Sequence, residues 1–565
     1  MALKPWYDVV KPREDLCQGK PLDAAEFAVH LDQIRDGRAP DVYCNPSLFF
    51  ERTYLTKTLT SLAGEVVRRL SGEMTETSAV FNMTTQFGGG KTHGLTLLYH
   101  LARSGNKAKR FYGVQNIIEK AGVSSIPEAA VAVFVGTEFD AVKGRGGDDG
   151  TPHRQTPWGE IAYQIGGEKA FSLVAKHDQD RIEPKGDVIR KMIPEDRPCL
   201  ILMDEMLSYF SSYRRQGYSS SLYNFIQALS ETVRGCKNAV LVASLPASEI
   251  EYNPDDQADE DRLKKMLDRL GKAIMMSAEA ETAEIIRRRL FDWEEGERDL
   301  SGKIYLNKDA AKTCDAYADW IRDHRQQVPQ WFANDDPANQ FKTTYPFHPS
   351  VLSVFERKWQ SLPKFQRTRG VLRLLAQWVA KDYEKGMRRD HKNPLIHMGS
   401  APLSDSMFRA AIMEQVGSDR IEAPLMTDIA GGERAHAWKL DKEAVDSIRK
   451  TKLHVGTATS IFFESTGGGT REAASLPELR LALGSPHVDV GNVETVLEGL
   501  SNDCYYLISE NNQYRFSIKP NLNKLLSDRI SDVKDDAIRE QVRSYVQKGF
   551  VAHGGVYVHP FPSKT

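Results

Sequence analysis

Short apolar runs alternate with longer amphipathic stretches through the first half of the chain. SAVFNM (78–83), VAVFV (131–135), CLILMDE (199–205) and NAVLVASLP (238–246) are too short for helices and end in polar or proline-bearing turns. Continuous apolarity over so few residues predicts strands buried on both faces. THGLTLLYHLARSG, TPWGEIAYQIGGEKAFSLVA and SSSLYNFIQALSETVRG (219–235) carry apolar residues at helical spacing between them. A glycine pair breaks the second, and serines start the third. One more helix is expected at 57–71 and a charged one at 255–270. This alternation predicts a three-layer α/β core.

The pattern divides the chain into five regions. Residues 1–72 form a lead-in and cap, and 73–277 the α/β core. Residues 278–440 form a helical lid and extension, with helices near 279–293, 307–325, 348–360 and 369–386. DKEAVDSIRKTKLHV then predicts a helix, followed by helices at 475–484 and 492–503 and two strands around the turn ENNQ. That order predicts a winged-helix-like domain over 441–531, with a small α+β packing domain as the other arrangement. Residues 532–565 read as the truncated start of a further domain.

TTQFGGGKTHG (84–94) follows the first strand and opens a helix, the setting a phosphate-binding loop requires. Gly88, Gly89 and Gly90 let the backbone approach phosphates, Lys91 can reach them, and Thr92 can ligate magnesium. His93 completes the cofactor-facing set by position, although without a metal-ligand constellation around it a structural role is favoured. Thr85 departs from the G-x-x-x-x-G-K-[ST] pattern, which places glycine there. The strand 199–205 ends in two adjacent carboxylates. Asp204 suits the magnesium shell, and Glu205 suits polarisation of an attacking water. Ser244, ending another strand, is the candidate polar residue between that glutamate and the γ-phosphate. Arg269, with Arg262 second, is the candidate arginine donated to a neighbouring subunit's site. Arg369 and Arg373 share one helix face and are the candidates to reach the γ-phosphate from a lid. Arg287, Arg288 and Arg289 read as a salt-bridged face beside Glu284.

Composition narrows the remaining classes. Lys+Arg at 75 nearly cancels Asp+Glu at 77, so net charge supplies no broad attraction to nucleic acid. Arg471, Arg480, Lys519 and Lys524 are the local candidates for contact with double-stranded DNA. The six cysteines are scattered without a C-x-x-C pair, which argues against a disulfide framework or structural zinc and predicts a reducing, cytoplasmic setting. No apolar leader or membrane-length apolar run is visible, so no membrane partner is expected.

FGGGKTH (87–93), TPWGEIA (156–162), LMDE (202–205), IIRRRLF (285–291), YPFHPS (345–350) and FQRTRGVLRLLA (365–376) together resemble the large DUF499 ATP-binding proteins, as do KPWYDVVKPREDL and FFERTYLT near the start. The resemblance spans nearly the whole chain. It implies an α/β P-loop NTPase of AAA+-like type with a helical lid, using ATP and Mg2+. Lys91, Thr92, Asp204 and Glu205 are the positions to which catalytic roles carry over. It further implies a bacterial or archaeal anti-phage setting, beside DNA methyltransferases and helicases. The expected activity is that of a homo-oligomeric ATPase motor or switch, with DNA as its candidate target. A nucleotide-gated scaffold with little turnover is the alternative.

Overall fold

The computed structural model describes residues 3–19, 30–85, 90–246, 254–275, 281–299, 302–333, 335–362, 365, 367–466, 473–531 and 534–550. The chain forms two compact units, Met1–Arg325 with Gln330–His397, and Gln326–Pro329 with Met398–Thr565. The expected lid region 278–440 is thus divided after His397.

The first unit begins with α1 (Leu31–Arg35), α2 (Pro46–Arg52) and α3 (Lys57–Leu70). Its core then alternates β1 (Val80–Thr85), α4 (Lys91–Ser104), α5 (Val114–Ala121), β2 (Ala130–Val135), α6 (Pro157–Asp180), β3 (Cys199–Asp204), α7 (Met206–Tyr213), α8 (Tyr218–Gly235), β4 (Ala239–Pro246), α9 (Pro254–Leu270) and β5 (Lys272–Met275). The strands form one sheet in the order β2-β3-β4-β1-β5, every pair parallel. Alternate residues of each strand enter opposite cores. Leu200, Leu202, Val240 and Val242 pack with α3, α4 and α5, while Ile201, Met203, Leu241 and Ala243 pack with α6, α8 and α9. Helices on both faces therefore explain why the strands read as unbroken apolar runs. The expected break in α6 falls at Gly166 and Gly167, the latter at φ 62°.

Helices α10 (Thr282–Leu290), α11 (Lys308–Asp323), α12 (Pro349–Arg357) and α13 (Arg367–Met387) complete this unit. Arg287, Arg288 and Arg289, expected as a salt-bridged face beside Glu284, are all buried. Arg287 pairs with Glu284 at 2.7 Å, and Arg289 donates to the Tyr43 hydroxyl.

The second unit is built around α15 (Leu453–Ser465), which is buried on most sides and packs against α14 (His436–Glu443). The expected continuous helix over DKEAVDSIRKTKLHV is interrupted, because Lys452 takes a left-handed conformation at φ 51°. After α15 come β6 (Ala474–Ser475), α16 (Leu476–Leu483), α17 (Gly491–Asp503), β7 (Leu507–Glu510) and β8 (Gln513–Phe516). The strands pair in the order β6-β8-β7, both pairs antiparallel. Asn511 and Asn512, at φ 51° and 58°, make the tight left-handed turn that joins a twisted hairpin. Helices α18 (Leu522–Ser531) and α19 (Asp535–Gly549) follow. Among the described residues no helix is long and apolar enough to cross a membrane.

Candidate nucleotide site

The site lies at the C-terminal edge of the parallel sheet, where α/β folds expose strand ends to ligands. Strand parity aims its side chains. Leu200 and Leu202 face the α4 layer, so Asp204 faces it too; Val240 and Val242 place Ser244 on the same side. β3 and β4 are in register through Met203 and Ala243, which brings Asp204 and Ser244 side by side one residue later. Ser244 also pairs with Met83 of β1, so β4 separates the loop strand from the carboxylate strand.

Asp204 is 2% exposed and is held from both sides. Ser244 Oγ donates to its Oδ1, and Thr92 Oγ1 donates to its Oδ2 at 2.9 Å. Gly90 stands at φ 82°, a left-handed conformation that suits glycine, and caps α4 immediately before Lys91. The carbonyl of Gly90 accepts the Gly94 N–H at 2.8 Å, starting the helix that carries Lys91 and Thr92. Gly88 and Gly89 lie outside the described residues, as does the side chain of Thr85.

Burial lowers the Lys91 ammonium pKa, while the nearby carboxylates of Glu205, Asp204 and Glu260 oppose that shift. One lysine therefore faces three acids. Their excess negative charge suits a site completed by a divalent cation and a polyphosphate. Glu260 is buried on α9, in line with the apolar positions Leu263, Leu267 and Leu270. An acid on the core stripe of a charged helix was the only sequence signal for it.

Glu205 is exposed, unlike its neighbour Asp204, and adopts φ 51° where the strand ends. Gly136, after β2, makes room for this turn. A Cβ there would collide with the Glu205 carbonyl and lie 3.0 Å from Met206 Cα. Gly136 N also donates to the Asp204 carbonyl at 2.9 Å. A left-handed glutamate held by a close glycine contact is the kind of constrained backbone that active sites retain.

Residues 6–281, which include this sheet edge, match the DUF499 N-terminal domain. No curated protein matches the chain. It is similar to the solved structure of the Aeropyrum pernix ORC2 protein in ADPNP-ADP complexes, at 13% identity and a TM-score of 0.30, over 86% of this chain and 94% of that one.

Within the matched residues, His93 has a different setting from Lys91 and Thr92. Its Nε2 lies 3.0 Å from Thr53 Oγ1, and its ring centroid is 4.7 Å from that of Phe49. Burial pushes its imidazole down to about 3, with Arg289 and His100 adding smaller effects. The ring is thus engaged with Phe49 of α2 and with Thr53, the structural setting weighed for it beside the cofactor-facing one. A helix turns about 100° per residue, so the position after Thr92 points elsewhere.

Arg269 is exposed on the last turn of α9. Its neighbour Asp268 accepts a 2.8 Å bond from Asn82, and Gly271 packs against Val80 at the start of β1. Arg269 therefore sits toward the sheet edge opposite the glycine loop. Arg262 is exposed and stacks over Tyr223 at 3.9 Å. Arg373 is half-buried on α13, which packs against α10; the side chain of Arg369 lies outside the described residues.

In the second unit, Arg480 pairs with Glu494 of α17, and Lys524 lies 3.6 Å from Asp503. Lys519 is exposed, and Arg471 lies outside the described residues.

Proposed function

We propose that the chain is an Mg2+-dependent ATPase of AAA+-like type. The observation that carries this is the convergence of Thr92, Asp204 and Ser244 beside Lys91 at one sheet edge. Lys91 binds the β- and γ-phosphates, and the α4 N-terminus faces them with its positive end. Thr92 and Asp204 hold the magnesium ion, which neutralises phosphate charge. Exposed Glu205 orients the attacking water and accepts its proton, while Ser244 fixes the Asp204 carboxylate. Arg269, on the opposite edge, meets a neighbour's nucleotide in a homo-oligomer. Arg373 and Arg369 serve the lid.

The order α15-β6-α16-α17-β7-β8, with β6 on the hairpin, supports a winged-helix-like module. Its third helix, α17, carries Glu494, Glu498 and Asp503 and no lysine or arginine. Such a helix repels phosphates, so the module's partner is a protein rather than the DNA duplex. In an anti-phage assembly, that protein is a companion methyltransferase or helicase.

Phosphate release by the purified chain tests the ATPase. Turnover requiring Mg2+ and abolished in Glu205→Gln is expected. Negligible turnover with an ATP-induced change in assembly size would instead identify a nucleotide-gated scaffold.

A further inference from the structure

A second cluster stands at the end of β2, which forms one edge of the sheet. Helix α1 packs against that strand, and Arg35 of α1 donates to the Val133 carbonyl at 3.3 Å. His30 precedes α1, Asp32 lies in its first turn, and Glu138 follows β2 in the turn Gly136–Thr137–Glu138. Each offers one ligand atom, and the three atoms lie within 4.8 Å of one another. No residue is shared with the nucleotide site.

Asp32 supplies the independent observation. It is 1% exposed, and its Oδ1 is buried without a hydrogen-bond partner. Its Oδ2 faces Arg38 Nη2 at 3.4 Å, a long contact from a side chain that is 59% exposed. A buried carboxylate oxygen left unmet is costly and calls for an ion or water beside it. The chemistry of the cluster favours an ion. One imidazole nitrogen with two carboxylates is a borderline donor set, suited to zinc, cobalt or manganese more than to magnesium, which prefers oxygen alone. Tetrahedral zinc places neighbouring ligand atoms about 3.3 Å apart. Half-buried His30 and exposed Glu138 can close that distance around fixed Asp32.

We propose that His30, Asp32 and Glu138 bind one divalent transition-metal ion, leaving a coordination position open to water. The ion joins His30 to the β2 turn and neutralises Asp32, a task that otherwise falls to exposed Arg38.

Titration of the full chain with CoCl2, followed by visible absorption, and with ZnCl2, followed by calorimetry, tests this. One equivalent is expected, with affinity reduced at least tenfold in His30→Ala and in Glu138→Gln. Glu138 is exposed, so its variant keeps the fold. Zinc should raise the melting temperature of the wild type but not of Glu138→Gln. Thr92→Val should leave zinc uptake unchanged. No uptake would overturn the proposal and leave Asp32 to water and Arg38. Uptake indifferent to both ligand variants would also overturn it, by placing the metal elsewhere.

Discussion

Thr92 and Asp204, 112 residues apart, are joined by a 2.9 Å hydrogen bond from hydroxyl to carboxylate. The bond ties the first turn of α4 to the end of β3, the two elements whose side chains would hold a magnesium ion. Thr92→Val keeps the side-chain shape and removes the hydroxyl. Turnover should fall at least tenfold, with a steeper Mg2+ requirement. A coupled phosphate-release assay across Mg2+ concentrations reads both effects.

Gly136→Ala tests whether the Glu205 turn must keep its geometry. The new methyl collides with the Glu205 backbone, so β3 must shift. Overpacking of this kind costs about 1–3 kcal/mol. Chemical denaturation should show that loss, and turnover should fall further than ATP affinity does.

Burial holds His93 at about 3 and His100 at about 4, both below the usual imidazole value. The unfolded chain therefore binds protons that the folded chain refuses. Stability is complete above pH 6.5 and declines as pH falls toward 4, by at most about 1.4 kcal/mol per pH unit for each histidine. Denaturation midpoints between pH 7 and 4 measure the slope. His93→Gln should flatten it, because glutamine retains a polar group toward Thr53 without the titration.

Arg269→Ala subunits should bind ATP and hydrolyse it poorly. Mixing them with Lys91→Ala subunits should restore part of the activity, because each supplies what the other lacks. Phosphate release from mixed oligomers, with mixing followed by labelled subunits, provides the measurement. Absence of rescue in demonstrated mixtures would assign the arginine elsewhere.

The buried strands were legible because both their faces meet helices, which leaves a continuous apolar signal. β5 was not, since Lys272, Ala273 and Met275 are exposed at the sheet edge. Lys91, Thr92, Asp204 and Ser244 were legible from their positions at element ends, and strand parity explains why Asp204 and Ser244 share the face that α4 covers. His93 packs toward Thr53 and Phe49 because adjacency in sequence is not adjacency on a helix. Glu260 was hidden in a helix rich in charge, and Gly136 acts only through the backbone of a distant strand. Local pattern marks Glu260 only by its place on the core stripe and does not mark Gly136 at all.

Calorimetric titration of ATP into wild type and Lys91→Ala, each with and without Mg2+, tests the nucleotide site most directly. Charge-assisted hydrogen bonds to phosphate are worth about 1.5–3 kcal/mol, so affinity should fall roughly 10- to 100-fold in a variant that remains folded. Equal, Mg2+-independent affinity in both proteins, or no binding by the wild type, would contradict an ATP site at Lys91.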